Sequence, residues 1–123
     1  MSTIEEDIQN KGLTAPRVTP EDIDANIADE VYFTANDGAT SSHYEIVDKG
    51  RGMSAKPLPK ELRLLTFCVL ILNNGFTVTG ESACASPENF DAELGRKIAR
   101  NNAIQKVWPL MGYELRSKLA NAS

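Results

Sequence analysis

The stretch Leu64-Leu65-Thr66-Phe67-Cys68-Val69-Leu70-Ile71-Leu72-Asn73-Asn74-Gly75-Phe76-Thr77-Val78-Thr79-Gly80-Glu81-Ser82 decides the fold. Its first half is an apolar run, too short for a membrane span and rich in β-branched and aromatic residues. Its second half alternates apolar and polar residues at the period of a strand. Asn74-Gly75 between them is the strongest short hairpin signal, because a type I′ turn needs positive φ at both central residues. That turn pairs Asn73 with Phe76, Leu72 with Thr77, Ile71 with Val78, Leu70 with Thr79 and Cys68 with Glu81. It places Phe67, Val69, Ile71, Phe76 and Val78 on the core face. Cys68, Leu70, Leu72, Thr77, Thr79 and Glu81 fall on a mixed face suited to partial cover.

Helices flank this hairpin. Ser86-Pro87-Glu88-Asn89 is a cap-then-proline start, and Phe90, Leu94 and Ile98 repeat every four residues. Pro109 is expected to interrupt the helix, giving C-terminal helices over about 87–108 and 110–121. Upstream, Thr19-Pro20-Glu21-Asp22 starts another, and Ile23, Ile27, Ala28, Val31 and Tyr32 extend it as an N-terminal helix over about 20–33. Residues 1–15 read as an arm. Residues 34–61 are loop-rich, with turn clusters at Asn36-Asp37-Gly38 and Gly50-Arg51-Gly52 and a short edge strand at His43–Val47. The expected fold is α+β: a small antiparallel sheet with a central hairpin over about 64–83, packed against C-terminal helices in one domain spanning 1–123.

Composition narrows the function. The net charge of −4 excludes the large cationic footprint that nucleic-acid polymers require. The charge is uneven, however: residues 1–60 hold six Lys/Arg against eleven Asp/Glu, and residues 61–123 hold seven against six. Arg96, Lys97, Arg100, Lys106, Arg116 and Lys118 form a cationic stretch interrupted only by Glu114, which suits a small anion. No run is long enough to span a membrane, and the acidic N-terminus lacks the features of a signal peptide. Cys68 and Cys84 have no metal-ligand spacing and read as reduced thiols.

Catalytic signals are missing. His43 is the only histidine and has no patterned acid nearby. Asp91 and Glu93 sit where a helix start favours negative charge in any case. The glycines form no phosphate loop. Gly95 stands apart, since glycine inside a helix implies a close neighbour. Arg96 and Arg100, at i and i+4, share one helix face. By spacing alone they read first as a solvated face, with Glu93 and Lys97 as a neighbouring ion pair; an anion held between them is the other reading.

A longer pattern adds to this. The run Leu72 to Cys84, followed by Asn89-Phe90-Asp91, Gly95-Arg96-Lys97-Ile98-Ala99-Arg100 and Val107-Trp108-Pro109-Leu110 with Gly112-Tyr113, resembles a family of small tailed-phage proteins that includes the first Thoeris anti-defence proteins. The resemblance covers residues 62–119, with a weaker match at Pro16-Arg17-Val18-Thr19. It implies a non-enzymatic protein of the host bacterial cytoplasm that sequesters cyclic ADP-ribose isomers, and in some members cyclic oligonucleotides. It implies homodimers or dimer-based hexamers, with no cofactor and no metal. Carried onto this chain, it assigns Arg96 and Arg100 to the pyrophosphate and adenine, and points to Phe76 and to Asn74 or Asn73 as further ligand contacts. A protein-binding phage inhibitor of a host enzyme is the competing expectation.

Overall fold

The computed structural model describes residues 3–41, 46–48, 52–54 and 57–122. The hairpin consists of β4 (Leu65–Leu72) and β5 (Thr77–Ala83). Its loop has three residues, not two. Leu72 accepts a hydrogen bond from Gly75 N at 2.8 Å and donates one to Phe76 O at 2.9 Å. Neither asparagine has positive φ; Gly75 alone does, at 88°. This is a type I turn closed by a left-handed glycine, in place of the expected type I′ turn. Tertiary contacts explain the change: Asn73 N donates to Asn26 O at 2.9 Å, and its side-chain Nδ2 donates to Ala25 O at 2.9 Å.

The register therefore moves by one residue, to Leu70↔Val78 and Cys68↔Gly80. A one-residue slip turns every side chain to the opposite face. The buried face carries Thr66, Cys68, Leu70, Leu72 and Val78, while Phe67, Val69 and Ile71, expected in the core, lie on the other side. Phe76, also expected inside, is 55% exposed.

The segment expected to be one helix over 20–33 divides in two. α2 (Pro20–Ala25) is capped by Thr19 and Asp22, and β1 (Ile27–Thr34) follows immediately. β4 pairs with β5 on one edge only, and residues 27–34, rich in β-branched and aromatic side chains, complete its other edge. The pairing overrides helical spacing. The result is a three-stranded antiparallel sheet in the order β1-β4-β5. The Asn36-Asp37-Gly38 cluster, expected as a turn, lies in α3 (Ala35–Thr40), which has a Thr34–Asp37 capping box. β2 (Ile46–Asp48) pairs with β3 (Gly52–Ser54) and overlaps the strand expected over 43–47 at Ile46 and Val47, while residues 43–45 lie outside those described. α1 (Ile4–Asn10) is a capped helix on the arm.

One continuous helix, α4 (Ala92–Asn121), covers one face of the sheet, and Pro109 does not divide it as expected. Gln105 and Pro109 are both exposed, where water can satisfy the carbonyl left without its donor. The stripe that packs on the sheet is Gly95, Ala99, Ala103 and Val107, not the expected Leu94 and Ile98. Small residues are required because the helix backbone comes very close to β5: a Cβ on Gly80 would run into Ala99 O and Ala103 N. Gly95 likewise faces Thr66, whose Oγ1 would lie 3.1 Å from an added Cβ. Ile23 from α2 completes the core with Leu70, Val78 and Val107. Both cysteines are free thiols, Cys68 buried and Cys84 half-buried. Among the described residues, no helix is long and apolar enough to cross a membrane.

Candidate functional site

The end of α2, the hairpin loop and the C-terminal half of α4 enclose a cleft of about 450 Å³, lined by Asp22, Asn26, Asn73, Asn74, Met111 and Glu114 with Arg17 and Lys118 at its edge. A hollow of about 200 Å³ adjoins it and adds Leu72, Phe76 and Leu110. The fold brings three asparagines together here. Asn26 caps the C-terminus of α2, Asn73 is drawn to it by the bonds described above, and Asn74 Oδ1 accepts from Phe76 N at 2.9 Å. These bonds leave Asn73 Oδ1 as an acceptor and the amide nitrogens of Asn26 and Asn74 as donors. Leu72, Leu110 and Met111 supply the apolar part of the lining, Asp22 and Glu114 supply carboxylates, and the exposed Phe76 ring borders the adjoining hollow. A few amide groups beside apolar side chains and a free aromatic face suit a planar heterocycle with hydrogen-bonding edges.

The cations beside the cleft are already paired. Arg17 forms a double hydrogen bond with Glu5, at 2.9 and 2.6 Å, and Lys118 lies 3.2 Å from Glu114. The Arg17 hydrogen bonds hold the Glu5 carboxyl below its usual value.

Arg96 and Arg100 lie elsewhere. Arg100 faces β1 and α2: its Nε donates to Glu30 Oε1 at 2.9 Å, and its Nη2 donates to Asp24 Oδ1 at 3.4 Å. Glu30 Oε2 also accepts from the Tyr32 hydroxyl at 2.8 Å. Arg100 therefore ties together α2, β1 and α4. Arg96, one turn earlier, is exposed, makes no ion pair among the described residues and borders a hollow of about 90 Å³ with Asp37, Thr66 and Phe90. Lys97 lies 3.8 Å from Glu93, the neighbouring pair expected from spacing. From Arg100 to Met111 is eleven residues of helix, or about 16 Å. The structure thus brings Asn73, Asn74 and Phe76 together and places Arg96 and Arg100 apart from them. Sequence reasoning misses Asn26 and Met111, because helical spacing puts Asn26 inside a helix over 20–33 and a break at Pro109 puts Met111 in a separate helix.

The Glu30 network has a pH signature. Burial pushes the Glu30 carboxyl up, but hydrogen bonds from Tyr32 and Arg100 outweigh it and hold it below the usual 4.5. A lowered carboxyl pKa stabilises the fold above the unfolded value, and the contribution is lost as pH falls through the folded value. The wild-type protein should therefore unfold at a higher temperature than Glu30→Gln at pH 7. That difference should shrink steadily below about pH 4.5 in thermal melts. A constant gap down to pH 3 would rule out this role for Glu30.

Among the described residues, no group of three or more His, Cys, Asp or Glu side chains could hold a metal ion, and His43 lies outside those residues. The fold and cleft define a small α+β domain with one helix laid across one face of a three-stranded sheet. Residues 18–119 match the phage protein (N4 Gp49/phage Sf6 gene 66) family, and the chain belongs to that family. No match was found among curated proteins or solved structures.

Proposed function

We propose that this phage protein sequesters a cyclic ADP-ribose-type immune signalling nucleotide in the bacterial host cytoplasm and holds it without cleavage. The observation that carries this reading is the cleft at the hairpin loop, where three asparagines line one wall and Phe76 borders the adjoining hollow. Its volume lies within the range of small-molecule pockets. The resemblance of residues 72–84 and 95–100 to the Thoeris anti-defence proteins supports the ligand class. In this reading Asn73 and Asn74 meet the edge of the base and Phe76 stacks on its face.

The resemblance assigns phosphate contacts to Arg96 and Arg100, and the two arginines stand differently. Arg96 is exposed and can take an anion directly, whereas Arg100 can do so only by giving up Glu30 and Asp24. Because both lie well away from the cleft along α4, they meet the same nucleotide only if a second copy brings them to it. A homodimer or dimer-based hexamer meets that need. Cyclic oligonucleotides are the next ligands to try, on the same resemblance.

The test is mass spectrometry of small molecules released by heat from the full chain, purified from cells that make candidate cyclic nucleotides. An intact cyclic ADP-ribose isomer at stoichiometric yield supports sequestration. A hydrolysed product would establish an enzyme, and a stoichiometric host protein with no nucleotide would favour the inhibitor reading. Phe76→Ala should weaken binding by about 1–3 kcal/mol, the range for loss of a base–aromatic stack, read by calorimetric titration. Unchanged affinity would remove Phe76 from the site.

A further inference from the structure

The Arg17–Glu5 pair at the edge of the cleft joins a fixed residue to a movable one. Arg17 precedes Val18, which packs against the core, and the Thr19–Asp22 capping box that starts α2, so its backbone belongs to the folded body. Glu5 belongs to α1, and packing does not hold that helix in place. α1 buries no residue, and Ile4 and Leu13 on the arm are 81% and 56% exposed. Arg17 also borders two spaces: the cleft on one side, and on the other a hollow toward the arm lined by Gln9, Leu13 and Pro16. Rotation of its side chain alone can therefore carry the guanidinium from the arm to the cleft.

Charge explains why that movement matters. Asp22 and Glu114 put two carboxylates on the cleft lining, and both cations at its edge are committed, Lys118 to Glu114 and Arg17 to Glu5. An anion entering the cleft meets a free cation only if one of these pairs opens. The Glu114–Lys118 pair lies within a single turn of α4, whereas the Arg17–Glu5 pair ends on a helix that packing leaves loose. Arg17 grips the two carboxylate oxygens of Glu5 at 2.9 and 2.6 Å, the same forked geometry in which arginine grips a phosphate. The two side chains are 27% and 21% exposed, so water screens the pair only in part.

We propose that Arg17 is the phosphate contact of the cleft, and that Glu5 is the internal carboxylate it gives up to bind one. The inference rests on the cleft reading and adds to it the residue that meets the anionic part of the ligand within a single chain, which Arg96 and Arg100, well away along α4, do not provide. An incoming phosphate or pyrophosphate replaces the Glu5 carboxylate on the guanidinium fork, and α1 loses that tie to the body of the fold. Arg17 thus favours phosphorylated ligands over nucleosides, and Glu5 limits how strongly it does so. A neutral heterocycle, held by the asparagines and Phe76, has no reason to open the pair.

The test is calorimetric titration of the full chain, Glu5→Gln and Arg17→Gln with two probes, cyclic ADP-ribose and adenosine. Glu5→Gln removes the competing charge and keeps the Thr3–Glu6 capping box of α1. It is expected to bind cyclic ADP-ribose about fivefold more tightly than wild type, the scale of a partly exposed ion pair. Arg17→Gln is expected to bind it at least about tenfold more weakly, as loss of a charge-assisted hydrogen bond requires. Adenosine should bind all three chains alike. A Glu5→Gln affinity for cyclic ADP-ribose equal to or below that of wild type overturns the proposal, as does an equal gain for both probes, which would mark a purely structural effect of the arm. If Arg17→Gln fails to fold, Glu5→Gln decides. Wild-type binding of both probes with no gain in Glu5→Gln leaves the cleft reading standing without this one, whereas no binding of either probe by any of the three chains removes both.

Discussion

Replacing Gly80 with alanine is expected to cost about 3 kcal/mol or more, because the added methyl group has nowhere to go. In the native packing a Cβ at this position meets Ala99 O and Ala103 N, which belong to the backbone of α4 and not to a side chain that could swing aside. α4 would have to lift from the sheet, and Ala99, Ala103 and Val107 would lose their packing in the cluster that holds Leu70 and Val78. Thermal unfolding should show the midpoint falling by of the order of 10 °C. Gly75→Ala is the useful contrast: its Cβ meets nothing within 4 Å, so it bears only the cost of a left-handed backbone, about 1 kcal/mol. Equal losses from the two substitutions would mean that α4 does not approach β5 as described.

Leu70→Ala should be the second severe substitution, and comparing it with Ile71→Ala reads the register directly. Leu70 is fully buried between the sheet and α4, so truncation leaves a cavity and costs about 2–5 kcal/mol. Ile71 lies on the opposite, partly exposed face, and its truncation should cost about 1 kcal/mol. A two-residue loop would reverse the order. Denaturant unfolding of the two variants therefore distinguishes a three-residue loop from a two-residue one without a new structure.

The hairpin, the sheet-and-helix class and the Thr19-Pro20 start of α2 were legible in the sequence, because turn glycines, caps and period-two alternation are local signals. α4 instead starts at Ala92 with Asp91 as its cap, and the expected start at Ser86-Pro87 is only a short 3-10 turn in which the Ser86 side chain caps nothing. What was not legible depended on partners distant in sequence. Asn74-Gly75 announces a hairpin but not the length of its loop, which Asn26 and Ala25 settle by holding Asn73 from 47 and 48 residues away. Residues 27–34 have helical spacing and strand composition together, and only the unpaired edge of β4 decides between them. The small-residue stripe on α4 was hidden because Leu94 and Ile98 make a stronger apolar pattern, yet Gly80 demands the small residues. Gly95 was the one sign of close approach that could be read in advance.

The candidate site shows the same division. The sequence groups Asn73, Asn74 and Phe76 with the arginines, and the fold places Asn73 and Asn74 in the cleft and Phe76 with Asn74 in the adjoining hollow, while Arg100 is engaged by Glu30 and Asp24. The acids that occupy Arg100 come from α2 and β1, so its ion pairs could not be foreseen while those residues were read as a single helix. Arg100→Ala should consequently weaken folding as well as any ligand contact, and a loss of binding in that variant needs a stability measurement beside it.

The most direct test of the central claim is nitrogen–proton correlation spectroscopy of the full chain titrated with cyclic ADP-ribose. The cleft reading predicts shifts in the side-chain amides of Asn26, Asn73 and Asn74 and in the Gly75 and Phe76 backbone, with the ligand recovered intact. Shifts confined to the turn carrying Arg96 and Arg100, or no shifts at millimolar ligand, would contradict it.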